Sequence, residues 1–399
     1  MWPGVKVLSY LMTNRVYLDW NATTPLRPEA KAAMVAAWEL SGNPSSVHAE
    51  GRHARRLVED ARAAVAVAVG APPRNVIFTS GGTEANASAL TPGLRGPAGS
   101  PVQRLLISAV EHASVMAGGR FAANAISKIA VTPSGLVDLG DLRTRLASGP
   151  AALVSIMAAN NETGALQPIR EAARIVHEAG GLLHVDAIQA LGKLPLDIKA
   201  LGADVTTLSA HKIGGPKGVG ALVLSEGLLG VEPLLRGGGQ ERGHRAGTEN
   251  VAGIAGFGAA AKAAVGALEA DRPRLEGLRD RLEAGLRQTP GAIIFSRDVP
   301  RLPNTTLFTV PGLRAVTAVI GFDLAGVAVS SGSACSSGKV QPSHVLEAMG
   351  FGPKLAEGAV RLSLGWSTTE TDIDSALQAW RKLEGTLIKG SDETQLERF

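Results

Sequence analysis

A single cysteine, Cys335, stands among 399 residues. It cannot form an intramolecular disulfide, and such sparing use fits a reducing compartment, so a cytoplasmic protein is expected. Aromatic residues make up only 4% of the chain, no lysine- or arginine-rich run is present, and the formal charge is only +4. Nucleic acid is therefore not the implied partner. No apolar run reads as long enough to span a bilayer, which argues against a membrane partner. Met1–Met12 has no small-residue cleavage site, so it is a poor signal peptide, and Met12 is an alternative start. Also missing are a Gly-x-Ser-x-Gly elbow, a phosphate loop ending in Gly-Lys-Ser/Thr, a metal-ligand spacing among the eight histidines, and any internal repeat.

What is present is 45% apolar and 19% charged, the balance of a soluble globular protein. The length exceeds the size at which single cores divide, so two domains are expected. Continuous apolar segments read as buried strands at 76–79, 104–108, 152–157, 182–185, 205–209 and 220–224. They alternate with helical patterns at 28–40, 54–69, 83–90 and 169–179, which predicts an α/β domain with a mainly parallel sheet. An Ala-rich helix over 251–268 leads out of it. After Pro273 a charged helix, 274–286, precedes strands near 292–295, 305–309, 327–329 and 360–364 and a last helix, 371–387, the pattern of a smaller α+β domain. The expected division is 27–265 for the large domain, 15–26 plus 266–399 for the small one, and 1–14 as an extension.

Candidate chemistry falls at strand ends, where ligands of such sheets collect. After strand 205–209 come Ala210-His211-Lys212-Ile213-Gly214-Gly215. A lysine at a sharp glycine turn, beside a histidine and Ser209, suits a Schiff base to an aldehyde cofactor, although a lone loop lysine is otherwise a solvated charge. Ser80-Gly81-Gly82-Thr83 opens a helix and would seat a phosphate, or is a plain capped turn. Asp186 ends an apolar strand and could face a protonated ring nitrogen, or cap a helix. Asn161 and Gln189 offer amides nearby. His112, just past another strand end, could stack on a flat ring or move protons, though a surface histidine is commoner.

These residues together resemble the fold-type I pyridoxal-phosphate (PLP) enzymes of aminotransferase class V, an aspartate aminotransferase-like fold. More narrowly, they are similar to cysteine desulfurases of the nitrogen-fixation and housekeeping iron–sulfur type. The match runs from Tyr17-Leu18-Asp19 through Arg361-Leu362-Ser363. The resemblance implies that Lys212 carries the cofactor, that Asp186 pairs with the pyridine nitrogen, and that Gln189 and Asn161 address the ring oxygen. It further implies that His112 stacks on the ring and that Gly82, Thr83, Ser209 and His211 hold the phosphate. Thr248 would reach that phosphate across a homodimer interface, and Asn43 and Arg361 would bind the substrate carboxylate. Arginine suits a carboxylate because its planar fork donates two parallel hydrogen bonds. Departures are small: Gly82 stands where many relatives have alanine, Trp20-Asn21 varies the wording before Ala22-Thr23-Thr24, and the first fifteen residues have no counterpart.

Ser330 to Gly338 is nearly all Gly, Ala and Ser around Cys335. Free cysteines are usually small core hydrophobes, but this polar loop is expected to move instead. In the family the loop cysteine is the nucleophile that takes sulfur from L-cysteine, leaving a persulfide and L-alanine. An iron–sulfur scaffold or another sulfur acceptor then receives the sulfur, and relatives suggest that the Cys335 persulfide ligates a metal cluster on a partner. The alternatives are a class V transaminase, a selenocysteine lyase, and a non-catalytic sulfur-relay scaffold.

Overall fold

The structure, a computed structural model, describes residues 15–96, 99–229, 231–332 and 342–387. The first strand, β1 (Val16–Tyr17), pairs in parallel with β11 (Val327–Ala328), so the start of the chain joins its last third. Seven strands then build the large sheet in the order β2 (Val76–Thr79), β8 (Gly220–Leu224), β7 (Val205–Ser209), β6 (Leu182–Asp186), β5 (Ala152–Met157), β3 (Arg104–Ser108) and β4 (Ile126–Ile129). All neighbours run parallel except β8, which is antiparallel to both β2 and β7. The strands β2, β5, β6, β7 and β8 are buried throughout, as expected of a sheet covered on both faces. A second sheet, of order β12 (Ser330–Ser331), β13 (Val360–Ser363), β10 (Thr305–Thr309) and β9 (Ile293–Ile294), is wholly antiparallel.

Several elements differ from expectation, among them the helix Leu139–Ala147, which the sequence reading left out. The edge strand β4 went unpredicted because Ser127 and Lys128 are exposed, which erases the apolar run. The helix Ala315–Leu324 is likewise unforeseen. The largest difference is at Pro273. Val251–Leu286 is one helix, with the proline inside it. Proline removes the bond to the carbonyl four residues back. Here Glu269 and Pro273 both lie on an exposed part of the helix. Phe257, Ala260, Ala261 and Ala264 of this helix belong to the core around the large sheet, whereas Leu275, Leu278, Leu282 and Leu286 belong to the core around the second sheet. The expected boundary at 265/266 thus falls within a helix that enters both cores. The same helix is long and apolar enough to cross a bilayer by length and composition, contrary to the sequence reading, but over half of its most apolar stretch is buried in the protein.

Candidate active site

Lys212 sits in a 3-10 turn, Ala210–Lys212, directly after β7. The turn is laced to the segment that follows β1. Thr24 donates to the carbonyl of His211 from both its N–H (2.9 Å) and its hydroxyl (2.8 Å). Gly214 N–H donates to Thr24 Oγ1 (2.6 Å), and Arg27 Nε donates to Ile213 O (3.1 Å). Gly214 has φ +87°, and a Cβ there would lie 2.4 Å from Arg27, so only glycine lets the two segments close together. The Lys212 amine donates to the carbonyls of Asn21 (2.6 Å) and Ala22 (2.8 Å). Burial, then the charge of Arg361, lower its pKa from 10.5 to about 8, against the opposing pull of Asp19 and Asp186.

This amine opens into a cavity of about 590 Å³ at the carboxyl ends of β5, β6 and β7. Asp186, the last residue of β6, is 5% exposed. Its carboxylate accepts from Asn86 Nδ2 (2.9 Å) and from Ile188 N–H (3.0 Å). Burial raises its pKa despite those bonds and the nearby His112 and Lys212. His112 caps the short helix Ala113–Met116 by accepting the Ser114 N–H at Nδ1 (3.1 Å). A ring nitrogen that accepts an N–H carries no proton, so the proton resides on Nε2. Burial also lowers the His112 pKa, which keeps the ring neutral.

Gly82 and Thr83 begin the helix Gly82–Ala89 and line the same cavity, with Ser209 and His211 from the β7 end. Burial and the neighbouring Lys212 and Lys217 push the His211 pKa down to about 4. Ile188 takes the room a larger residue at 82 would need, since a Cβ on Gly82 would meet its Cδ1 at 2.3 Å. Arg361, on β13, donates to Asp19 Oδ1 (2.8 Å) and to Asn161 O (2.9 Å), and its buried Nε has no partner among the described residues. Asn161 and Gln189 complete the wall. The structure thus brings together Lys212, Asp186, His112, Gly82, Thr83, Ser209, His211, Asn161, Gln189 and Arg361. Two expected residues stand apart. Asn43 lies in an exposed turn, its side chain accepting from Ser45 N–H (2.9 Å). Thr248 is exposed and borders a separate cavity of about 230 Å³ with Arg245 and Glu249. Cys335 lies outside the described residues.

Several participants escaped the sequence reading. Asp19 pairs with Arg361, and Asn86 holds Asp186 while accepting from Thr207 Oγ1 (2.6 Å). Asn21 is buried under Lys212 and bonded to it through its backbone. Glu111 is wholly buried, accepts Met157 N–H (2.6 Å), and is held well above the carboxylate range by burial and by Asp186. Each of these is an ordinary polar residue in sequence. Only proximity to Lys212, Asp186 or Arg361 distinguishes them. Among the described residues, no cluster of three or more His, Cys, Asp or Glu side chains could hold a metal ion.

Comparison with known proteins agrees with this geometry. The profile of the family described as Aminotransferase class-V matches residues 16–376. A cysteine desulfurase of Cereibacter sphaeroides is 45% identical over 372 residues, covering 91% of this chain and 94% of that protein. The cysteine desulfurase IscS of Dictyoglomus turgidum is 40% identical over 377 residues, covering 93% and 95%. Among solved structures, a NifS-like protein from Rickettsia africae ESF-5 superposes with a TM-score of 0.85 at 39% identity, covering 93% of this chain and 99% of that one. SspA in complex with cysteine superposes with a TM-score of 0.71 at 29% identity, covering 88% and 98%.

Proposed function

Since this chain belongs to the aminotransferase class-V family and to the cysteine desulfurases within it, we propose that it binds PLP at Lys212, draws sulfur from L-cysteine and holds it on Cys335. The family is PLP-dependent, and the residues of the cavity fit that group. A buried carboxylate, Asp186, held by neutral donors alone, suits a protonated pyridine nitrogen. At the helix start Gly82 and Thr83, with Ser209 and His211, suit a phosphate. A buried amine with a pKa near neutrality suits an aldehyde. When bound, PLP supplies an electron sink that makes the substrate's α-proton acidic.

The chain's own groups account for the remainder. Arg361 would seat the substrate carboxylate through its unpaired Nε, beside Asp19. Lys212 would move the α-proton, its lowered pKa matching it to near-neutral pH. His112, neutral and carrying its proton on Nε2, would stack on the ring and hand protons across the cavity. The Cys335 thiolate would bond to the substrate sulfur as the Cβ–S bond breaks. Cβ keeps the electron pair and takes a proton to become the methyl group of alanine, and the enzyme keeps a persulfide. A sulfur acceptor, such as an iron–sulfur scaffold, would then receive it in the cytoplasm. Thr248 and Asn43, off this cavity in one protomer, would act in a homodimer, where Thr248 comes from the partner.

One observation supports this reading above all: nine residues from five strand ends and the small sheet converge on the buried amine of Lys212. The test is Cys335→Ala. It should keep the visible absorbance of the bound cofactor and form no alanine from cysteine. Normal alanine release from that variant would contradict the role of Cys335, and release of a keto acid by the unaltered enzyme would favour transamination.

A further inference from the structure

Behind the wall of the site lies a second lysine that the proposed chemistry does not use. Lys193 is 9% exposed, and among the described residues no carboxylate bonds to it. Its amine donates to Asn21 Oδ1 (3.0 Å) and makes a short bond to Gln189 Oε1. Burial, then Lys212 and Arg361, hold its pKa well below the usual lysine range. The amine is the donor in both bonds, and both acceptors are side-chain oxygens.

The consequence lies at Gln189. A carboxamide presents an acceptor at one end and two donors at the other, and the hydrogen-bond network alone decides which end points where. The backbone carbonyl of Asn21 can only accept, so Nε2 lies toward it, and Oε1 at the other end accepts from Lys193. Nε2 then gives one hydrogen to Asn21 O (3.0 Å), the same carbonyl that accepts from Lys212 Nζ (2.6 Å). The second Nε2 hydrogen has no partner among the described residues, and Gln189 lines the cavity. Asn21 is fixed in the same way. Its Oδ1 accepts from Lys193 and Asn304 (3.2 Å), and its Nδ2 donates to Thr305 Oγ1 (2.9 Å).

We propose that Lys193 is a positioning residue: by locking the carboxamide of Gln189 with its oxygen away from the cavity, it fixes a hydrogen-bond donor aimed at the ring oxygen of the cofactor. This inference rests on the reading that the cavity takes PLP with Gln189 beside that oxygen. Without Lys193 only the Asn21 carbonyl holds the carboxamide, which is then freer to rotate and offer an acceptor that a phenolate oxygen repels.

Two variants test this by titrating apoprotein with PLP and recording the visible band. Lys193→Met should bind PLP about fivefold more weakly, the worth of one ordinary hydrogen bond, with a displaced absorbance maximum. Gln189→Glu keeps Lys193, whose amine can donate to the new carboxylate as it does to Oε1. Its second oxygen then faces the ring oxygen, and PLP affinity should fall roughly tenfold or more. Wild-type affinity and absorbance in Lys193→Met, or undiminished binding by Gln189→Glu, would overturn the assignment. Should Lys193→Met fail to fold, Gln189→Glu alone decides it. An unaltered chain that takes up no PLP would instead defeat the reading of the cavity, and this inference with it.

Discussion

The acidity of Lys212 is the quantity on which capture of an aldehyde depends, and it can be perturbed with pH alone. Only the neutral amine adds to a carbonyl. With a pKa of about 8 in place of the ordinary 10.5, about one amine in ten is neutral at pH 7, against about one in three thousand for a free lysine. The difference, roughly 300-fold, corresponds to about 3 kcal/mol. It should appear when apoprotein is mixed with PLP and the rise of visible absorbance is timed from pH 6 to 10, with free lysine as the reference for the aldehyde's own titration. The rate should climb and then bend near pH 8. Arg361→Met should move the bend upward, because that guanidinium is the second cause of the depression after burial, while Asp19 and Asp186 already pull the other way. The unfolded chain binds the extra proton between about pH 8 and 10.5, so the apoprotein should also gain stability as pH rises through that window. A capture rate that rises in step with free lysine all the way to pH 10 would refute the reasoning.

Three further outcomes follow from the packing. Glu241→Ala should lower the urea midpoint by an amount equivalent to about 1.5–3 kcal/mol. Arg62, 3% exposed, loses its bonds to Glu241 at 2.6 and 2.9 Å and keeps only Glu59 (3.2 Å) and the Val76 carbonyl (2.8 Å) among the described residues, while Phe78 N–H loses its acceptor. Gly82→Ala should reduce thermal stability by about 1–2 kcal/mol and weaken cofactor uptake, since its Cβ would crowd Ile188 Cδ1. Ile188→Val removes that atom, so the double variant should recover, and simple addition of the two effects would show that the pair is not coupled. Asp186→Asn discards a buried charge but leaves one acceptor oxygen for two donors, Asn86 Nδ2 and Ile188 N–H. Its stability should fall by about 1–3 kcal/mol in a thermal melt, while alanine release falls by roughly two orders of magnitude or more.

The sheet was readable because its strands are buried on both faces and appear as unbroken apolar runs, and a parallel sheet delivers the residue after each run to one edge. That is why Lys212, Asp186, Ser209 and Gly82, far apart in sequence, meet in one cavity. The same logic fails for residues whose meaning is a partner. Asn21 reads as a turn residue and Asn86 as the middle of a helix, and only folding sets them against Lys212 and Asp186. Lys193 reads as a solvated charge because nothing local marks it as buried. At Pro273 a sound local rule lost to packing, as the helix is held in a core on either side of it. Asn43 and Thr248 carried the family's pattern but lie outside the cavity, so no geometry within one protomer gives them a task.

The lacing of residues 16–27 has a consequence for how the protein comes into being. β1 waits for Val327 and Ala328, Thr24 and Arg27 wait for residues 211–214, and Asp19 waits for Arg361. Trp20 and Arg27 both rest against Trp366, at 4.6 Å and 4.0 Å. During synthesis the earliest of these residues thus emerge with every anchor still unmade, and long-range closure of this kind is slow. A nascent chain stopped short of β13 would hold Lys212 and the segment laced beneath it yet lack Arg361, so the wall of the cavity closes only once that strand is made.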